Sequence, residues 1–353
     1  VNIKYSIIIP TYNHLEDFLK PCLQSIIKYT DLNITEVIVV ANGCIDNTKE
    51  YVESLTATYP NIKLIEEKDG IGYTKATNLG LKVAVGEYII PLNNDTVILD
   101  SPVNAWLDIL EEPFKRDPQM GVTGPLRLDD KITQSQFIVF FCAMIARKTF
   151  LQVGLLDEIF SPGSGEDIDF CIKAQRLGYK IEIVPNNTLT KKDAKIYAGS
   201  FPIYHYAEGT FENVENYSNI TFKRNSLINL KRHNKNIKLH LTPDNSSALP
   251  FHIRVHDTSK YSDVLSAWNK LDFENGTVEE IALVDTIAQI PANNLTDYIK
   301  EWYRVLKKNG KLIMLMPEPI HQVIIDLVTK NGFSSTSIQW ADNNRIFFLA
   351  NKV

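Results

Sequence analysis

The feature that most constrains this 353-residue chain is a rhythm in roughly its first 120 residues, where short apolar runs alternate with amphipathic stretches. Tyr5-Ser6-Ile7-Ile8-Ile9-Pro10 is a continuous apolar run of the kind that forms a strand buried on both faces. Residues 14–29 then place Leu15, Phe18, Leu19, Leu23, Ile26 and Ile27 on one helical stripe. The pattern repeats with a strand over 36–40 that ends in Asn42-Gly43, a helix over 48–58, a strand over 63–66, a helix over 75–85 and a strand over 87–92. Such an order predicts an α/β fold, a parallel sheet flanked by helices, with ligands at the carboxyl ends of the strands.

Further along, the pattern turns mixed. Residues 121–126 read as a strand, 137–146 as an apolar stretch, and 167–177 as a helix stopped by Gly178. Residues 211–233 read as a basic helix. The polar segment 234–250, rich in Asn and Ser and holding Pro243 and Pro250, is the expected linker. Three parts follow from this: a domain over 1–233, the linker, and a second α/β domain over 251–353.

Composition narrows the function by exclusion. A net charge of -5 with 22% charged residues disfavours a nucleic-acid partner. No apolar run reaches the roughly 18 residues of a bilayer span, and the apolar start is too short for a signal peptide. Cys22, Cys44, Cys142 and Cys171 lie far apart without a CxxC pair, which disfavours zinc and a disulfide scaffold. A cytoplasmic protein without an integral membrane segment is the expectation.

The chemistry-bearing residues gather where strands end: Pro10-Thr11-Tyr12-Asn13, Ala41-Asn42-Gly43-Cys44-Ile45-Asp46, Asn93-Asn94-Asp95, and Gly163-Ser164-Gly165-Glu166-Asp167 at a helix start. As an ordered set, with Asp46-Asn47-Thr48 in place, they resemble the inverting family 2 glycosyltransferases, over about residues 4–233. The resemblance implies the GT-A nucleotide-sugar-binding fold, a Rossmann-like mixed sheet, and transfer of a sugar from a nucleoside-diphosphate donor to a glycan hydroxyl, in surface polysaccharide or glycan assembly.

It also implies a site. A diphosphate brings at least two negative charges towards carboxylates, so a divalent cation is needed, and oxygen ligands select Mn²⁺ or Mg²⁺. The family's DXD triplet reads Asn93-Asn94-Asp95 here, which leaves Asp95 as the metal ligand; Asn93 and Asn94 face the donor or serve as turn residues. His205, followed by Thr210 at the family's spacing, is the second metal-side residue, against the plainer reading of a structural histidine. Pro10, Thr11 and Tyr12 would border the base or ribose. Ala41 stands where the family carries an acid, so Asn42 would supply the base acceptor. UDP and dTDP are the favoured donors, because uracil and thymine present the same N3–H edge. Asp69, Gly70, Gly72 and Asn78 would close over the donor. Asp167 matches the family's base, with Glu166 as acceptor-binding residue or second base; the alternative is a helix cap with a first-turn acid. Lys223 and Arg224 would meet the diphosphate or form a solvated helix face.

The C-terminal segment carries a second, partial resemblance. Residues 281–285 and Tyr298 to Ile313, with the turn Arg304-Val305-Leu306-Lys307-Lys308-Asn309-Gly310-Lys311-Leu312, resemble the later half of a class I methyltransferase. Between Asn234 and Asp263 there is no GxGxG loop and too little chain for the two missing βα units, so S-adenosylmethionine is not an expected cofactor. A truncated, non-catalytic module with a half-sheet is expected, its open edge covered by the first domain or in a homodimer. Two readings compete with the enzyme. A sugar nucleotidyltransferase would want a Gly-rich basic loop after the first strand, which Pro10-Thr11-Tyr12-Asn13-His14 lacks. A catalytically inactive sugar-nucleotide-binding or scaffold protein would explain Ala41 and Asn93.

Overall fold

The structure, a computed structural model, describes residues 2–125, 137–184, 190–191, 197–198, 201–206, 217–233, 236–241, 253–256, 264–265, 267–284, 286–342 and 344–353. It divides into two compact units, Val1–Thr221 and Phe222–Val353.

The first unit is built on strands β1 (Tyr5–Thr11), β2 (Thr35–Asn42), β3 (Ile62–Glu67), β4 (Tyr88–Pro91), β5 (Thr96–Ile98), β6 (Met120–Gly124), β7 (Met144–Ala146) and β8 (Lys180–Ile183). Its helices are α1 (Lys20–Tyr29), α2 (Thr48–Thr58), α3 (Tyr73–Val83), α4 (Ala105–Arg116), α5 (Arg147–Val153) and α6 (Glu166–Arg176). Seven strands form one sheet in the order β3-β2-β1-β4-β7-β6-β8. The β1–β2, β1–β4 and β2–β3 pairs are parallel, whereas β7 runs antiparallel to β4 and β6. This is the mixed α/β sheet that the alternating pattern predicts.

Every residue of β1 and β2 is buried, as continuous apolar runs require when helices cover both sheet faces. One face packs Ile7, Ile9, Val37 and Val39 against Leu19, Leu23 and Trp106; the other packs Ile8, Ile38 and Val40 against Ala76, Leu81 and Phe170. Each fully buried aliphatic side chain contributes about 1.5–3 kcal/mol, so these two strands anchor the unit. The buried Glu36 between them is held by Ser6 Oγ at 2.5 Å, Lys63 Nζ at 2.6 Å and the Val85 amide at 2.7 Å. Outside the sheet, the short pairs β9 (Thr190–Lys191) with β10 (Tyr197–Ala198), and β5 with β11 (Ile203–His205), are antiparallel.

The second unit contains α7 (Tyr217–His233) from Phe222 onward, β12 (Ile237–Leu241), β13 (Ile253–His256), β14 (Val264–Leu265), β15 (Val278–Val284), α8 (Leu295–Val305), β16 (Leu306–Pro317), α9 (His321–Lys330), β17 (Phe333–Asp342) and β18 (Arg345–Lys352). Its sheet has seven strands, in the order β14-β13-β12-β15-β16-β18-β17. From β14 to β16 the pairs are parallel; β18 runs antiparallel to both β16 and β17. Leu239, Ile281, Leu283, Met314 and Phe348 pack with Ile299, Trp302 and Val328 of α8 and α9 in one core.

Two expectations change here. The segment read as a linker contains β12, and the sheet is not a half-sheet. Residues 242–252 and 257–263 join parallel strands in less chain than the helical crossover such pairs ordinarily use, so the spacing hid them. The helix read as the end of the first domain also contributes Leu227 to the second unit's core. Arg224 and Lys223 therefore belong to that unit. Among the described residues, no helix is long and apolar enough to cross a membrane.

Candidate active site

The loops at the carboxyl ends of β1, β2 and β4 are tied to one another by side chains. Asn13, with φ 55°, accepts the Ile45 amide on Oδ1 at 2.8 Å. Asp46 accepts the Leu15 amide at 3.0 Å and the Thr48 hydroxyl at 2.6 Å, and those bonds hold its pKa below the ordinary carboxylate value despite partial burial. Thr11 Oγ1 accepts the Asn94 amide at 2.9 Å, and the Asn93 amide donates to the Phe141 carbonyl at 2.8 Å. Asn93 and Asn94 thus act as turn and tie residues. Pro10 is buried within β1, and Thr11 is buried at its end. Tyr12 alone of that trio presents a large free surface, 41% exposed beside Gly70.

Asn42 departs from its expected part. Its Oδ1 accepts the Ile71 amide at 2.8 Å, so it fastens the 67–72 loop to the end of β2. Asn78 is likewise committed within the fold. Its Nδ2 donates to the Leu156 carbonyl at 2.9 Å and Glu158 Oε1 at 3.2 Å, and its Oδ1 accepts the Leu156 amide at 3.0 Å. Asn42 holds the loop through its oxygen, and Asn78 is engaged at both ends of its amide. Asp69 is exposed at the loop tip. Gly72 has φ 85°, and a Cβ there would stand 2.5 Å from Pro162 Cα; only glycine lets α3 begin against that loop. Ser161 Oγ completes the join by donating to the Ile71 carbonyl at 3.0 Å.

Two acidic centres result. At the first, pairing of β5 with β11 sets His205 opposite Thr96, and the Tyr206 amide donates to the Asp95 carbonyl at 3.0 Å. His205 Nε2 comes within 3.2 Å of Asp95 Oδ1, with both side chains about 5% exposed. Phe141 stacks on the imidazole at 4.4 Å and 10°. Asp95 Oδ1 and His205 Nδ1 are buried without a hydrogen bond, an arrangement that costs free energy unless another partner arrives. Among the described residues, no three His, Cys, Asp or Glu side chains are spaced to hold an ion. A buried carboxylate oxygen and imidazole nitrogen left without hydrogen bonds are donors that a divalent cation can take.

The second centre opens α6. Gly165, φ 98°, caps the helix, and Glu166 and Asp167 stand in its first turn, 4% and 8% exposed. Burial, and then the Asp167 charge, push the Glu166 carboxyl up to about 8, with Thr74 Oγ1 at 3.5 Å. Asp167 Oδ1 accepts the Ile168 amide at 2.8 Å, and the positive end of the helix favours its charge. Tyr73 links the centres. Its hydroxyl donates to the Phe140 carbonyl at 3.0 Å. Its pKa is driven well up by burial first, then by the charges of Glu166, Asp167 and Asp95. Carboxylates from two stretches of chain, the Glu166-Asp167 pair and Asp95, therefore act on one hydroxyl.

Residues 6–152 match the family model described as Glycosyl transferase family 2. That stretch is similar to the family 2 glycosyltransferases. The chain is 35% identical over 149 residues to the uncharacterized glycosyltransferase MG025 of Mycoplasma genitalium, covering 36% of this chain and 48% of that protein. It is 25% identical over 271 residues to the minor teichoic acid biosynthesis protein GgaB of Bacillus subtilis, covering 68% of this chain and 28% of that protein. The mannosyltransferase PcManGT of Pyrobaculum calidifontis, solved with GDP-mannose and Mn²⁺, aligns with a TM-score of 0.45 and 21% identity, over 54% of this chain and 59% of that one. The chain thus spans less than half the length of either curated relative.

The supporting residues were harder to foresee than the carboxylates. Phe141, Tyr73 and Thr74 act through tertiary contacts, and an apolar stretch such as 137–146 does not by itself mark Phe141 as the platform under His205. Thr210 lies outside the described residues. All four cysteines are free; burial pushes the Cys22 thiol up to about 12 and leaves it unsuited to act as a nucleophile.

Proposed function

We propose that this chain is an inverting GT-A glycosyltransferase that moves a sugar from a nucleoside-diphosphate donor to a glycan hydroxyl. The observation that carries the reading is the buried Asp95–His205 pair, with Asp95 Oδ1 and His205 Nδ1 left without hydrogen bonds, in the same unit as the buried Glu166 and Asp167 that open α6. Asp95 and His205 would hold Mn²⁺ or Mg²⁺ against the donor diphosphate; when bound, the cation neutralises charge on the leaving group. Tyr12 offers its exposed ring to the base, and UDP and dTDP are the favoured donors.

Asp167 is the general base. Its carboxylate takes the proton of the acceptor hydroxyl as that oxygen bonds to the anomeric carbon, and the bond from that carbon to the diphosphate oxygen breaks on the opposite face. The configuration inverts, and the electron pair leaves with the diphosphate. Glu166, neutral at pH 7, is a donor that can hold the acceptor in place. The GgaB likeness supports a surface-polymer acceptor. In the second unit, the strand order and the glycine-free stretch from 234 to 263 support a methyltransferase-like scaffold without a methyl-donor site.

The test is calorimetry of UDP, dTDP, GDP and CDP, each with Mn²⁺, Mg²⁺ or EDTA. Binding of one diphosphate that EDTA removes is the expected result. A folded protein that binds none of them would leave the site without its donor and overturn the reading.

A further inference from the structure

Sheet edges that end in solvent invite pairing unless charge or shortness guards them. Three of the four outer edges of the two main sheets are guarded. β3 carries Lys63, Glu66 and Glu67; β8 has only four residues, Lys180 and Glu182 among them; and β14 has two residues. The fourth, β17, is ten residues long, has no charged residue and no proline from Phe333 to Ala341, and pairs with β18 in unbroken register over Ser337–Trp340, between two register shifts.

Its apolar side chains continue the core outward. Across the sheet, Met314 faces Phe348 and then Ile338, while Met316 faces Ile346 and then Trp340. The inner members are buried, but Ile338 is 51% and Trp340 64% exposed. Being two residues apart, Ile338 and Trp340 share one sheet face. An apolar strip therefore runs off the edge at a strand whose outer side has no neighbouring strand among the described residues.

We propose that β17 is a self-association surface: a second copy of this chain pairs its own β17 antiparallel to it, about a twofold axis. The regular run Ser337–Trp340 is its own complement, because antiparallel pairing of identical strands matches backbone donors to acceptors on both sides. The strip from the core then meets an identical strip, and Trp340 and Ile338 leave water on both copies. With no charge from 333 to 341, the like copy meets no repulsion there. The contact is one strand wide and sits at the small end of specific interfaces, so association depends on concentration. The inference is independent of the transfer reaction.

Sedimentation of the 353-residue chain over roughly 1–100 µM is the experiment, with Trp340→Lys and Leu151→Lys compared. The proposal expects a monomer–dimer equilibrium, weakened about tenfold or more by Trp340→Lys and unchanged by Leu151→Lys, a charge on another exposed apolar residue. Hydrogen exchange of the unaltered chain reads the same surface without substitution: amides of 334–341 gain protection as concentration rises. A monomer at every concentration would overturn the proposal. So would a dimer that leaves the 334–341 amides unprotected and is indifferent to Trp340→Lys.

Discussion

The two units share a beginning and diverge in what it carries. Each sheet opens with four parallel strands in the order third, second, first, fourth: β3-β2-β1-β4 in one and β14-β13-β12-β15 in the other. In the first unit, polar groups at the ends of those strands lock the loops together, and the later β5–β11 pair and α6 bring Asp95, His205, Glu166 and Asp167 to them. In the second, the chain from 234 to 263 has no glycine to let a backbone approach a ligand closely, and the sheet finishes in the uncharged edge of β17. A common strand order is thus only a platform. Chemistry depends on the side chains delivered to its strand ends.

The comparison breaks most sharply at Asp95. Asp95→Ala removes the charged half of the Asp95–His205 pair and should weaken metal-dependent donor binding about 100-fold or more, measured by calorimetry with and without EDTA. Unchanged binding would move the cation elsewhere.

An effect on stability, of a few kcal/mol, follows from Glu166. Its ordinary pKa of 4.5 rises to about 8 in the fold, so the native chain keeps a proton that the unfolded chain has lost between those values. Unfolding releases that proton, and this contribution to stability is complete below pH 4.5 and lost as pH rises towards 8. Denaturation from pH 4.5 to 8 should show the decline, and Glu166→Gln should flatten it. An equal slope in the variant would assign the decline to other groups.

Gly72→Ala should cost about 1–3 kcal/mol, through positive φ and collision with Pro162, and should loosen the loop before Glu166. A thermal melt unchanged by that substitution would contradict the close approach. The smallest expected effect concerns the second unit. S-adenosylmethionine should leave the melting temperature unaltered and no methyl group should be transferred; a measurable shift would restore a cofactor site to that sheet.

Much of this was legible in the sequence where a residue's local pattern matched its use. The buried runs of β1 and β2 announced a sheet covered on both faces, and Gly165-Glu166-Asp167 announced a helix start. Asp95 and His205 were identifiable singly, but their 3.2 Å approach comes from the β5–β11 pairing of distant segments. Asn42 and Asn78 bond backbone groups that are remote in sequence, at Ile71 and Leu156, and an amide suited to a ligand is equally suited to such a backbone group. β12 was taken for linker because its apolar run is short and set among Asn and Lys.

The most direct test of the site is Asp167→Asn, with donor binding and sugar transfer measured on the same preparation. Loss of a general base predicts transfer slowed by about 10²–10⁴-fold while donor affinity stays within several-fold. A variant that transfers sugar at the original rate would remove Asp167 from the reaction and contradict the account.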